Sequence, residues 1–434
     1  GFSFRVPEKI EKAACLEICF FDFSADCYRK VQLAEKEREM KLTEETPFFF
    51  IYSVWTKNGE YREQVKRLVT DYDNYISLKL AGDDAYLSEK MVGYPAELDE
   101  VYAESFEEQK KEWFSCVGDG IQECRNTWEH KKWNITDFPE FELAITIDRP
   151  ELYYDFLQKD WTRFCHDYWK NNFLEHHTLS QKRVTRIYIG NQFCHNLFPK
   201  KKLLFQVLEK ALENNLAVTL AFSYIRNHLL EEIDELLQEL EVWCQSREKE
   251  AGKDQEEIIV NDWAMPILLQ GKPHLKPVLG VLLNKRRKDV RLPYKHGIGN
   301  HVDSLAENNL NCGFYQDYLK NTFDIQRFEF ESCGYKVTIP DGHHSLHLPF
   351  FQTNTSQYCT LYAVCRYGDR EKQKLPENCP KYCEQKVFLY PKHLKMVGRY
   401  NSLFGYDEKI LWDEKQLQDY LEQGIDRIVV NVSL

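Results

Sequence analysis

Short apolar runs alternate with helical stripes along the second half of the chain. Arg186–Gly190 and Ala217–Phe222 have the continuous apolar character of strands buried on both faces. Between them Leu203, Leu204, Val207, Leu208, Ala211 and Leu212 recur at helical spacing. Leu229, Leu230, Ile233, Leu236, Leu237, Leu240 and Trp243 mark a second amphipathic helix. Glu257–Asn261, Pro277–Leu282, Gln326–Glu331, Ser345–Phe350, Lys386–Leu389 and Arg427–Val432 continue the strand series. Apolar strands separated by helices indicate a parallel sheet covered on both faces. Eight such strands over about 250 residues fit a (β/α)8 TIM-like barrel. A doubly wound open sheet is the alternative, but no Gly-x-Gly-x-x-Gly or Walker-type loop follows any of these strands.

The first half lacks this rhythm. It is irregular and very aromatic, with strand-like runs at Pro47–Tyr52 and Phe141–Ile147, a segment over Asp71–Lys79 and an acidic helical pattern over Glu97–Trp113. The polar stretch Glu175–Arg183 separates the halves. The expected organisation is an N-terminal α+β accessory domain over 1–183 and the α/β barrel over 184–434. Two charge runs, Glu35–Lys41 and Gln245–Glu257, read as solvated helix or loop surface.

Charge and length narrow the function. Lys and Arg number 57 against 69 Asp and Glu, a net charge of −12, which argues against a binder of phosphate backbones. No run of about 18 apolar residues exists, so no membrane span is expected, and no secretory signal is visible at the N-terminus. A cytoplasmic protein is the expectation. A chain of 434 residues can bury a full core without covalent staples, so its 14 cysteines need another explanation. Reduced thiols or metal ligands are expected.

Four of the cysteines fall close together, as Cys359-x5-Cys365-x13-Cys379-x3-Cys383. Most of the segment between Cys365 and Cys379 is polar and loop-like. Thiolates on loops beside a short Cys-x3-Cys pair suit an iron–sulfur cluster or zinc; the absence of paired Cys-x2-Cys knuckles turns the reading towards iron–sulfur. Cys194 follows what reads as the first barrel strand, in the Gly190–Cys194 turn, and active sites of barrels are built at the carboxyl ends of strands. Cys15 and Cys19 lie in an apolar run with helical spacing and read as core.

Several segments together resemble the peptidase U32 (collagenase-like) family. They are Ile187–Cys194, Ile258–Trp263 followed by Leu279–Asn284, Phe328–Ser332, and Leu346–Pro349 leading into Gln357–Thr360. In order and spacing they are most similar to the branch used in oxygen-independent ubiquinone hydroxylation. The resemblance covers 184–434. It implies a (β/α)8-type barrel and an oxygen-sensitive 4Fe-4S cluster, with Cys194, Cys359, Cys379 and Cys383 as its ligands. Cys359 matches the neighbouring residues and Cys365 matches the spacing, so that ligand stays open between them. Related members hydroxylate RNA bases or a quinone precursor without oxygen, sometimes with a second U32-like subunit; others are classed as peptidases.

Asn261, Asp262, Asn284 and Glu331 fall at or just beyond expected strand ends. Asp262 and Glu331 are candidates for proton exchange, and Asn261 and Asn284 for orienting a polar substrate. No Gly-x-Ser-x-Gly or His-Glu-x-x-His supports a peptidase, and His343, His344 and His347 read as packing and surface. The expected activity is a redox modification of a small or peptidic substrate under anaerobic conditions. The alternatives are a non-catalytic electron-transfer subunit and a U32-type peptidase. An RNA-modifying role is disfavoured by the acidic balance.

Overall fold

The computed structural model describes residues 1–6, 9–10, 12–22, 27–46, 49–68, 138–251, 255–286, 288, 306–369, 372, 374–376, 378–389 and 395–432. The patterns over Asp71–Lys79 and Glu97–Trp113 lie outside these residues. The chain divides into two compact units, Gly1–Leu98 and Asp99–Leu434.

In the first unit, β1 (Phe2–Val6) and β4 (Arg38–Glu45) pair antiparallel on either side of β5 (Phe50–Thr56), and β2 (Cys15–Asp22) pairs with β3 (Cys27–Ala34). Residues 59–68 are helical, with the Asn58 side chain capping the backbone N–H of Tyr61 at 2.9 Å. Phe20, Val31, Leu33 and Tyr61 form the core, with Leu16 and Ile18 packed on it. Two expectations are corrected here. The run holding Cys15 and Cys19 is a strand: its period is two, so Leu16, Ile18 and Phe20 point inward while both cysteines are exposed. The charge run Glu35–Lys41, expected as solvated helix or loop surface, runs from a short 3-10 turn into the largely exposed β4.

The second unit is built on an eight-stranded sheet. Its strands are β6 (Glu142–Ile147), β7 (Arg186–Gly190), β8 (Ala217–Ala221), β9 (Glu256–Val260), β10 (Leu275–Leu279), β11 (Glu329–Glu331), β12 (His344–Leu348) and a last strand at Ile425–Val430. The order is β10-β9-β8-β7-β6, then the last strand, then β12-β11, and every pairing is parallel. A parallel bridge between Leu279 and Phe328 brings the outer strands together, so the sheet is nearly closed into a TIM-like barrel. Helices α1 (Pro150–Gln158), α2 (Trp161–Asn171), α3 (Lys201–Glu213), α4 (Leu230–Ala251), α5 (Met265–Leu268) and α6 (Gly313–Phe323) occupy the crossovers.

The sheet therefore begins at Glu142, and the boundary expected at 183/184 falls inside it. β6 lies between the last strand and β7, which makes Arg186–Gly190 the second barrel strand. Lys386–Leu389, expected in the barrel, belongs elsewhere. Between β12 and the last barrel strand the chain inserts β13 (Phe350–Thr355), α7 (Thr360–Tyr367), β14 (Phe388–Leu389), β15 (Met396–Arg399) and β16 (Ser402–Tyr406). These strands form a separate antiparallel sheet in the order β13-β16-β15-β14. Helix α8 (Glu414–Glu422) then leads into the last strand, β17.

The barrel interior is layered. Ala144, Tyr188, Ala221, Ile259, Val278 and Val429 form an apolar cluster. Towards the amino ends of the strands Arg427 is nine-tenths or more buried and spans two carboxylates, Glu142 at 2.6 Å and Glu257 at 2.6 and 3.0 Å. Arg186 bridges the same two carboxylates at 3.0 and 3.3 Å. Paired charges at this end of a barrel serve stability, and the carboxyl ends are left for chemistry. Among the described residues no helix is long and apolar enough to cross a membrane.

Candidate metal centre

Cys194 hangs from the end of β7. Gly190 turns the chain out of the strand at φ +107°, where a Cβ would sit 2.6 Å from the Ala221 carbonyl oxygen, so only glycine fits. The Asn191 side chain then accepts from the backbone N–H groups of Phe193 and Cys194, both at 2.9 Å, which folds the loop back on itself. The buried Tyr153 of α1 donates to the Leu197 carbonyl at 3.0 Å and pins the far side of that loop.

The insertion supplies the other thiols. Cys359 caps α7, its sulfur accepting from the Tyr362 N–H at 3.3 Å and its thiol donating to the Tyr400 carbonyl at 3.0 Å. Cys383 is buried in a 3-10 turn (Tyr382–Glu384), and Arg399 Nε donates to its carbonyl at 2.8 Å. Cys379 sits four residues earlier. Cys194, Cys359, Cys379 and Cys383 all line one cavity of about 570 Å3, counted to its open mouth. Cys365, half-buried on α7, is not in its wall.

Three of the four thiols are shifted by burial and by their neighbours. Burial pushes the Cys194 thiol up to about 11, with the nearby Cys379 thiol adding to the rise. Burial likewise pushes Cys359 up to about 12, partly offset by the Tyr362 N–H and reinforced by Cys194 and Cys379. Cys383 is raised by burial and by the other three thiols. Raised in this way the thiols are neutral, and ionising them together would need a cation among them. Among the described residues no group of three or more His, Cys, Asp or Glu side chains is placed to hold a metal ion; the four cysteines share the wall of one cavity. As a donor set, cysteine sulfurs are soft ligands of the kind that iron–sulfur clusters and zinc take.

A second cavity, of about 480 Å3, opens at the barrel mouth. It is lined by side chains at the carboxyl ends of the strands, among them Asp148, Gln192, Glu331 and His347. Tyr400 belongs to the walls of both cavities. It lies between β15 and β16 with φ +57°, a backbone region uncommon for an aromatic residue. Its hydroxyl and Asp148 Oδ1 are buried and have no hydrogen-bond partner among the described residues. Burial, with Asp148 close by, raises the Tyr400 phenol.

The structure places the other expected residues as follows. Glu331 faces the barrel-mouth cavity and is held by Lys288 Nζ at 2.5 Å and the Gln352 N–H at 2.7 Å. Burial lowers the pKa of Lys288, and Glu331 opposes that shift. Asn261 ties strand ends together, donating to the Phe222 carbonyl at 2.8 Å and accepting from the Leu282 N–H at 3.1 Å. Asn284 donates to the Glu329 carbonyl at 3.1 Å. Asp262 caps the turn into α5, accepting from Ala264 N–H at 2.9 Å, Met265 N–H at 3.2 Å and Ile225 N–H. Asn261, Asp262 and Asn284 line neither cavity. Asp262→Ala is expected to cost about 1–2 kcal/mol in chemical denaturation through the lost cap, with metal content unchanged.

Sequence reasoning missed Asp148, Arg226 and Tyr400. Asp148 and Arg226 lie just past the carboxyl ends of β6 and β8, and that position is a signal available in advance. Tyr400 carries none. No family model matches the chain, nor does any curated protein or solved structure.

Proposed function

We propose that the chain is an iron–sulfur protein similar to the oxygen-independent hydroxylation branch of the U32 family. In this reading Cys194, Cys359, Cys379 and Cys383 hold a 4Fe-4S cluster, and the protein carries out a redox modification, such as hydroxylation, of a small or peptidic substrate. The observation that supports it is the gathering of these four cysteines, from a barrel loop and a distant insertion, around one cavity. When bound, such a cluster supplies one-electron transfer. The chain's own residues do the rest. Asp148 Oδ1 and the Tyr400 hydroxyl offer unsatisfied hydrogen-bonding groups to a polar substrate at the barrel mouth. The Lys288–Glu331 pair places a second carboxylate there for proton exchange.

One observation favours a second reading. Four thiolates fill the corners of a cubane and leave no open iron, which suits an electron-transfer subunit whose turnover needs a second, U32-like subunit. Iron and sulfide are measured on the full chain purified without oxygen. About four of each per chain, with visible absorption bleached by air, is the expected result. Iron-free protein that cleaves peptides would instead establish the peptidase reading.

A further inference from the structure

We infer that Arg226 is the counter-cation of the thiol cavity and sets the reduction potential of the group held there; this rests on the iron–sulfur reading above. Among the described residues the cavity wall contains Arg226 and no carboxylate, although the chain as a whole carries a net charge of −12. Among the described residues Arg226 has no carboxylate partner. Its guanidinium is fixed instead by neutral groups: one nitrogen donates to the Tyr224 hydroxyl at 3.0 Å and to the Gln357 carbonyl, and the ring of Tyr224 lies 5.3 Å away. Tyr224 is itself anchored, donating to the Ser356 carbonyl at 3.2 Å and accepting from Asn401 at 3.0 Å. Arg226 Nε is buried and has no hydrogen-bond partner among the described residues.

Arg226 is half-buried, with only its Nε out of contact with water and without a partner among the described residues, so an anion in the cavity is a favourable neighbour for it. Four thiolates around a cubane are such an anion, with a formal charge of roughly −2 oxidised and −3 reduced. Reduction adds one electron and one negative charge beside a fixed positive one. The cation therefore favours the reduced form and raises the potential, an effect strengthened by the low local dielectric. Arg399, which donates to the Cys383 carbonyl, stays in place in every variant below.

The test uses full-length protein purified without oxygen. Iron and sulfide are determined first, and the midpoint potential is then measured by redox titration followed by electron paramagnetic resonance. Arg226→Gln is expected to retain iron and to favour oxidation at least tenfold more than wild type, a fall of about 59 mV for a one-electron couple. A loaded Arg226→Gln protein with the wild-type potential overturns the inference and leaves the iron–sulfur reading standing. Wild-type protein without iron overturns both. If Arg226→Gln fails to load, Arg226→Lys and Tyr224→Phe decide. Both keep the charge but shift it from its anchor, and both are expected to lower the potential measurably, by less than the ~59 mV that a tenfold change amounts to. An unchanged potential in both overturns the inference.

Discussion

Replacing Cys383 by Ala is expected to strip the iron from protein purified without oxygen, and so are Cys194→Ala, Cys359→Ala and Cys379→Ala. Changes to groups that merely support a metal ligand cost about 10–100-fold in affinity, and removing a ligand costs more. Cys365→Ala is the informative control. Both Cys359 and Cys365 lie at α7, but Cys359 caps the helix with its sulfur in the cavity wall while Cys365 is absent from that wall. Six residues amount to about 1.7 helical turns, so the two cannot face the same way. Cys365→Ala should keep its full iron and sulfide and its visible spectrum. The reverse pattern, iron lost with Cys365 and kept without Cys359, would sink this ligand set. The Tyr362 N–H to the Cys359 sulfur adds a refinement: a backbone donor aimed at a thiolate survives any side-chain change at 362.

The barrel was largely legible in the sequence because both-face burial leaves a plain mark. Seven apolar runs between 186 and 430 became barrel strands. The eighth strand, Glu142–Ile147, was recognisable as a strand but not as a barrel strand. The crossover after it carries α1 and α2, whose aromatic faces mix Tyr, Trp and Phe with charge, and the polar residues before β7 look like a linker. Lys386–Leu389 failed in the opposite sense: periodicity reports an apolar strand, not which sheet pairs with it. Of the site, the cysteines were legible because Cys-x3-Cys is local and the resemblance placed the other two. Arg226, Asp148 and Tyr400 come from a strand end, another strand end and a turn in the insertion. Only the closing of the barrel and the folding of the insertion over it bring them together. Asp262 and Asn261 sit where reactive groups often sit, yet their hydrogen bonds are spent on backbone N–H and carbonyl groups. Strand-end position alone does not separate the two uses.

The largest stability effect is expected at the other end of the barrel. Arg427→Met removes a buried guanidinium that pairs Glu142 and Glu257, of which Glu257 is the less exposed at 12%. Arg186 remains for both carboxylates, and Arg327 lies 3.8 Å from Glu257, so neither is stranded completely. Breaking one partner of a buried ion pair costs about 3–5 kcal/mol, read as a fall in the urea midpoint of the barrel's unfolding transition. Replacing Glu257 by Gln in the same protein should recover part of the loss, because the uncompensated charge is then gone. The acid limb provides an independent readout. Burial alone would raise the Glu257 pKa, but Arg186 and Arg427 outweigh it and hold the carboxyl at about 2 against an ordinary 4.5. A carboxyl depressed in the folded state gives stability that is fully present above its unfolded pKa and is lost as pH falls from about 4.5 towards 2. Without Arg427 the folded pKa of Glu257 rises and the window narrows. The variant should therefore gain little from raising the pH through that range, while wild type gains steeply. Parallel stability–pH curves for the two proteins between pH 2 and 5 would show that Arg427 is not what holds Glu257 ionised.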